Sequence, residues 1–381
     1  MNALPKSVAP PLRLLLGPGP SPVDPRVLDA LSRPTLGHLD PAFLAIMDEI
    51  RDMLRAVLGT ENELTFPMSG TGSAGMETCL VNTLEPGDRV LVGVNGVFGA
   101  RMAEVARRAG ARVSTAEVEW GRPVTADVLR EAARGESFKA LCVVHAETST
   151  GALTDVAALR PVADELGALL VVDCVTSLGG LPVELDAWGV DAAYSGTQKC
   201  LSCPPGLSPV SLSARAQAGL AARKHPVQSW YLDLSLVGSY WGGERAYHHT
   251  APINMLYGLH EALRIALEEG LATRYARHAS VARSLAARLE AMGLELLVAP
   301  EHRLAPLTSV RVPAGVDEAR VRRFLLERHA IEIGGGLGPL KGAIWRIGLM
   351  GSGATEANAE RVSTALSEAL AEQGRSVGSP D

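Results

Sequence analysis

The chain has 381 residues, enough for two domains and a large core, and its 47% hydrophobic content excludes a disordered chain. With 36 basic and 42 acidic residues the net charge is −6, which argues against nucleic acid or a membrane surface as the main partner. Five cysteines, an odd number lying mostly in apolar runs, fit reduced buried thiols better than a disulfide framework.

Residues 1–16 read as a proline-rich arm of the kind that orders only against a partner. GPGPSP over 17–22 is a rigid, turn-rich loop. Neither this start nor the closing GRSVGSPD carries a signal peptide, a membrane span or a sorting signal, so a cytoplasmic protein is expected. Asp24-Pro25 opens a helix with Val27, Leu28 and Leu31 on one face. A second helix over 41–58 carries Phe43, Ile46, Met47, Ile50, Met53, Leu54 and Val57 on a broad apolar face.

From Leu64 to about Ser211 strands and helices alternate. Apolar runs occur at LTFPM, RVLVGV, ARVSTAEV, KALCVVHA, ALLVVDCV and DAAYS. Helical patterns over 73–84, 99–109, 125–134 and 157–166 lie between most of them. Strands apolar on both faces and alternating with helices predict an α/β fold with a mostly parallel sheet covered on both sides. Ligands of such sheets bind beyond the carboxyl ends of the strands. Pro204-Pro205-Gly206 should end regular structure, and 211–270 reads as irregular and aromatic-rich. A long helix from Asn254 toward Met292 breaks at Gly270. Strands over 294–298, 307–312, 331–334 and 344–348, with helices over 316–329 and 355–373, predict a smaller α+β unit. The expected division is an arm over 1–16, a large domain over 17–269, a small domain over 270–372 and a flexible tail over 373–381.

The strand ends carry the chemistry. LTFPM runs into SGTGSAG, where glycines let backbone N–H groups face a ligand and a helix starts at once, an anion site. GTGSAG also satisfies the dinucleotide pattern GxGxxG, so an NAD-dependent dehydrogenase is weighed. Such a site wants an acid at the tip of the next strand, and here that strand ends in Asn95-Gly96. Asp173 follows four apolar residues, where a carboxylate is costly to bury without a cation. Lys199 is presented on the small turn SGTQ after the next strand. An anion cradle, a buried carboxylate and a strand-end lysine are together explained by pyridoxal phosphate, with its phosphate, ring nitrogen and aldehyde. Phe98, at another strand end, offers a lid for the ring. Cys200 and Cys203 form a CxxC with no second pair to complete a zinc site. His248 and His249, without acidic or thiol ligands nearby, read as structural.

GPGPSPVDP, SGTGSAG, NGVFGAR, HAETSTG, VVDCVTSLGG, YSGTQK, YHHT and WRIGLMG together resemble the class V aminotransferases, most closely their alanine–glyoxylate and serine–glyoxylate (serine–pyruvate) branch. The resemblance implies pyridoxal phosphate on a fold-type I scaffold, working as a homodimer with active sites at the subunit interface. By motif, Lys199 resembles the Schiff-base lysine and Asp173 the partner of the ring nitrogen. Thr71, Gly72 and Ser73 match the phosphate cradle, joined by Gln198, with Tyr247 and Thr250 reaching it from the other subunit. Thr148 matches a residue near the ring's phenolic oxygen. Phe98 stands at the stacking position, where some relatives carry tryptophan, and Ser73 where some carry histidine. Arg346 matches the arginine that grips the substrate carboxylate, a task that suits its planar fork of donors. The implied reaction is a ping-pong transamination from alanine or serine to glyoxylate or pyruvate, with Lys199 as proton shuttle. A 2-aminoethylphosphonate or ureidoglycine donor is the alternative. A cysteine desulfurase would need a mobile cysteine late in the chain, and none follows Cys203.

Overall fold

The computed structural model describes residues 4, 6–375 and 378. It opens with a two-residue strand, β1 (Leu14–Leu15), followed by α1 (Pro25–Leu31) and α2 (Pro41–Leu58). Both helices start at Asp-Pro: Asp24 and Asp40 accept the backbone N–H two residues on, and the proline occupies the first turn, where no donor is needed. α2 ends at Gly59, whose φ of 60° lies in the left-handed region that glycine adopts freely. Phe43, Met47, Ile50, Leu54 and Val57 are buried as their spacing requires. Each such side chain contributes about 1.5–3 kcal/mol through burial. Leu28, expected beside Val27, is instead 53% exposed.

The alternating region follows in order as β2 (Leu64–Ser69), α3 (Gly72–Thr83), β3 (Arg89–Val94), α4 (Val97–Arg108), β4 (Arg112–Glu117) and α5 (Ala126–Ala133). Then come β5 (Ala140–Val144), the small hairpin β6 (Ala146–Glu147) and β7 (Ala152–Leu153), α6 (Arg160–Glu165), β8 (Leu169–Asp173), β9 (Ala192–Tyr194) and β10 (Leu207–Leu212). Seven of these strands form one sheet in the order β2-β10-β9-β8-β5-β3-β4. Only β10 is antiparallel to its neighbours, β2 and β9. The other six therefore point one way, and Ser69, Tyr194, Asp173, Val144 and Val94 end along one edge.

The α/β class and the mostly parallel sheet agree with the sequence reading, but β10 was not anticipated. Regular structure resumes directly after Pro204-Pro205-Gly206, and all six residues of β10 are buried. The stretch read as irregular also contains α7 (Ala214–Ala221) and α8 (Leu234–Trp241), while the long helix expected from Asn254 is present as α9 (Ile253–Glu269) and α10 (Leu271–Ala291), separated at Gly270 as expected.

The rest comprises β11 (Leu307–Arg311), α11 (Glu318–His329), β12 (Ile331–Glu332), β13 (Gly334–Gly335), β14 (Ile344–Gly348) and α12 (Glu356–Ala371). β11, β14 and β13 make a three-stranded antiparallel sheet. Two expectations need correction here. Residues 294–298 hold two backbone bonds and one isolated bridge to the β11 edge, not a full strand. The strand expected over 331–334 divides in two, because β12 pairs with β1 while β13 pairs with β14.

The apolar residues form two main cores. One runs from Val27 to Leu263 around the large sheet. The other gathers Val281 to Leu370 and includes Leu16 from the start of the chain, so residues 14–16 are docked rather than loose. Of the tail, residues 376–377 and 379–381 lie outside the described residues. No described helix is long and apolar enough to cross a membrane.

Candidate active site

The parallel strands deliver their polar ends to one edge. β2 passes through Ser69-Gly70-Thr71 into α3. Thr71 stands at the N-cap of α3 yet makes no capping bond, whereas Thr125 and Thr355 cap α5 and α12 through their hydroxyls. The first N–H groups of α3 are thus left without a side-chain acceptor, which is the condition for anion binding. The backbone is close here: a Cβ on Gly72 would come 3.0 Å from Val175 Cγ2.

Asp173 ends β8 and is buried. Its Oδ1 accepts from the Val175 N–H at 2.8 Å and its Oδ2 from the Tyr194 hydroxyl at 2.8 Å. Tyr194 is its register partner on β9, so the sheet itself aims the phenol at the carboxylate. Burial pushes the Asp173 carboxyl up to about 6.

Lys199 lies just past β9 and is only 7% exposed. Its Nζ donates to the Pro18 carbonyl. The Ser21 hydroxyl donates to the Lys199 carbonyl at 2.6 Å, and the Ser21 N–H to the Gln198 carbonyl at 2.9 Å. The GPGPSP loop therefore clasps the lysine turn from the other end of the chain. A side chain at Gly19 would meet the lysine at 2.7 Å, and φ there is +104°, so glycine is required twice over. Burial, and then the charge of Arg346, push the Lys199 amine down to about 8.

Seven residues singled out in the sequence meet in one cavity of about 210 Å³: Thr71, Gly72 and Ser73 from the α3 start, Phe98 from α4, and Asp173, Gln198 and Lys199. Gln198 Oε1 is buried there without a hydrogen-bond partner in the described chain. A larger groove of about 910 Å³ lies between α1, α2 and α9. It lacks the buried carboxylate and amine, and chemistry rather than size locates the site.

Arg346, on β14, is buried beside this cavity. Its Nε donates to the Gly335 carbonyl at 2.8 Å and its Nη1 to the Thr148 carbonyl at 3.0 Å. Nη2 has no acceptor among the described residues. Burial pushes the guanidinium down to about 10. Thr148 does not line the cavity; its hydroxyl bonds that of Thr176, and its carbonyl steadies Arg346. Tyr247 and Thr250 do not line it either. Tyr247 is 58% exposed, with its hydroxyl 3.4 Å from that of Thr250. His248 stacks on Trp230 at 4.1 Å between ring centroids, and His249 Nε2 lies 3.0 Å from Ser69 Oγ, so both histidines are packing and hydrogen-bonding residues here.

Three further residues shape the site without having been read from the sequence. Tyr194 holds Asp173, and only strand register reveals it. Glu147, fully buried, accepts from the Phe98 N–H at 3.1 Å and the Gly99 N–H at 3.3 Å, capping α4 and fixing Phe98. Burial raises its carboxyl, opposed by those bonds. Arg101 lines the cavity one helical turn after Phe98, a spacing that places both on one face of α4.

The family model described as aminotransferase class-V matches residues 14–349. An alanine–glyoxylate aminotransferase structure from Nostoc sp. superposes with a TM-score of 0.95 at 50% identity, covering 97% of this chain and 98% of that one. The (S)-ureidoglycine–glyoxylate transaminase of Bacillus subtilis is 42% identical over 90% of this chain and 86% of its own length. The alanine–glyoxylate aminotransferase of Callithrix jacchus is 42% identical over 97% of this chain and 90% of its own.

Proposed function

The chain belongs to the class-V aminotransferases and works with pyridoxal phosphate, and from that premise we propose that it moves the amino group of alanine or serine to glyoxylate or pyruvate. The observation that carries the site assignment is the burial of Asp173 and Lys199 in one cavity, with Arg346 beside it. The donor set suits the cofactor at each point. Asp173 would hold the ring nitrogen, Lys199 the aldehyde, and the open α3 start with Thr71, Gly72, Ser73 and the unpartnered Gln198 amide the phosphate. Phe98 would cover the ring, while Thr148, outside the lining, would act on the site through Arg346, whose Nη1 donates to its carbonyl.

When bound, the cofactor supplies an electron sink for the carbanion formed at the substrate α-carbon. Asp173, ionised, holds a proton on the ring nitrogen. Arg346 would present Nη2 to the substrate carboxylate, with Nε and one Nη1 hydrogen already engaged, so that the α-proton is turned toward the lysine. Lys199 Nζ would take that proton as general base and pass it on as general acid, away from the α-carbon it left. An amine lowered to about 8 is partly neutral near pH 7, as this task requires. Both half-reactions would use the same Arg346 and Lys199, so the first product must leave before the second substrate binds, the ping-pong order.

We assign Tyr247 and Thr250 to the phosphate of the partner subunit in a homodimer. Support comes from their exposure and from their absence from the lining of the cavity in their own chain. A two-domain division near residue 270 accords with the two apolar cores. Five free, buried thiols accord with a cytoplasmic setting.

A panel of amino donors added singly to the purified yellow enzyme tests the donor choice. Alanine or serine should bleach the colour, and glyoxylate or pyruvate should restore it. Bleaching by ureidoglycine alone would move the assignment to the second reading, which the B. subtilis relative supports at similar identity. Lys199→Ala should show neither the lysine-bound colour nor turnover, and retained transamination in that variant would remove Lys199 from its role.

A further inference from the structure

We infer that Arg101 is the cation that holds the cofactor's phosphate, an inference that rests on the cofactor placement above. A phosphate monoester near neutral pH carries close to two negative charges. The cradle of Thr71, Gly72, Ser73 and Gln198 offers only neutral donors. Of the residues lining the cavity, only Lys199 and Arg101 are cationic, and Lys199 is committed to the aldehyde end. Arg101 projects from the first turns of α4 to the opposite end. Its Nη1 is 3.4 Å from the Ser73 hydroxyl, at the open start of α3. Its guanidinium carbon lies 4.9 Å from the centroid of Phe98, which steadies the plane of the fork. Among the described residues no carboxylate pairs with it. A guanidinium with free donors, beside a helix start with free N–H groups, completes a phosphate site in which the helix supplies direction and the arginine supplies charge.

The test separates phosphate from ring. Arg101→Gln, Arg101→Lys and the wild type are freed of cofactor and titrated with pyridoxal phosphate and with pyridoxal, following the colour of the lysine-bound form. Arg101→Gln should weaken pyridoxal phosphate binding about tenfold, the scale of one exposed charge-assisted hydrogen bond. Pyridoxal, which lacks the phosphate, should bind as in the wild type. Arg101→Lys should recover part of the loss, and added salt should shrink the difference. Equal weakening for both ligands would mean that Arg101 acts through Phe98, and no weakening would mean that it acts on neither; each result overturns the inference while leaving the cofactor placement intact. A wild type that takes up pyridoxal phosphate no better than pyridoxal would overturn the phosphate cradle itself, and Arg101 with it.

Discussion

At Asp173 the fold buries a carboxylate whose supporting bonds, from Tyr194 and Val175, do not offset the loss of water. The folded chain holds that proton up to about pH 6, against 3.8 for the ordinary group. Between these values the folded state binds more protons, so stability falls as pH rises, and above about 6 the full cost, of order 3 kcal/mol, remains. A cofactor with a protonated ring nitrogen reverses this by supplying the missing cation. Cofactor-free Asp173→Asn should therefore melt above the cofactor-free wild type at pH 7.5, and the gap should narrow at pH 5. With pyridoxal phosphate present the order should invert, because only the aspartate gains from the cation. Melting curves at the two pH values, with and without cofactor, read this directly; a variant that is less stable in all four conditions contradicts it. Lys199 and Asp173 were legible in the sequence because an ionisable group straight after an apolar strand stands out. Tyr194 and Arg101 were not, since each acquires its meaning from a neighbour on another element.

Among the elements, α3 shows how closely helix and sheet must approach to open a helix start onto the site. Gly75 faces β10 in that helix, where a Cβ would overlap Ser208 Oγ and stand 3.0 Å from Tyr194 Cβ. Local propensity favours alanine over glycine in a helix by about 1 kcal/mol. Packing decides here, and Gly75→Ala should lower the melting temperature and weaken cofactor binding by pushing α3 outward. Adding Ser208→Ala should restore part of both, measured by thermal melts and cofactor titration; a fully stable Gly75→Ala enzyme would show that the helix has slack. The strands of the parallel set were readable from their two-sided apolar runs. β10 escaped notice because LSPVSL mixes serine and proline into a fully buried strand, and Pro209 faces Pro67 across the ladder. Proline removes a ladder donor and normally argues against a central strand. Residues 294–298 differ in the opposite sense: Leu294, Leu296 and Val298 alternate into the interior, but the segment makes only two backbone bonds around one isolated bridge.

For the whole molecule, the proposed sharing of sites between subunits predicts complementation. Lys199→Ala and Tyr247→Ala chains should each be weak or inactive alone. Co-expressed, they should form mixed dimers in which one site combines an intact Lys199 with an intact partner Tyr247. Recovery of activity on mixing, measured beside each parent, is the expected outcome. No recovery, with mixed dimers demonstrated, would confine each site to one chain. The α/β class, and seven of the residues that meet in the candidate cavity, could be read from the sequence. The joining of the two cores could not, because it depends on contacts between opposite ends of the chain.

Those contacts set an order of assembly. β1 pairs with β12, and Arg13 Nη1 reaches the Leu326 carbonyl 313 residues away, while the next few residues clasp the lysine turn. A chain emerging from the ribosome holds the large sheet complete long before its partner for residues 13–16 exists. Residues 13–16 must wait, unpaired, for partners made at least 313 residues later, and closing so long a span costs chain entropy before any contact repays it. A nascent chain stalled before residue 331 would carry Lys199 and the loop that clasps it, but with residues 14–16, which anchor that loop, still unpaired.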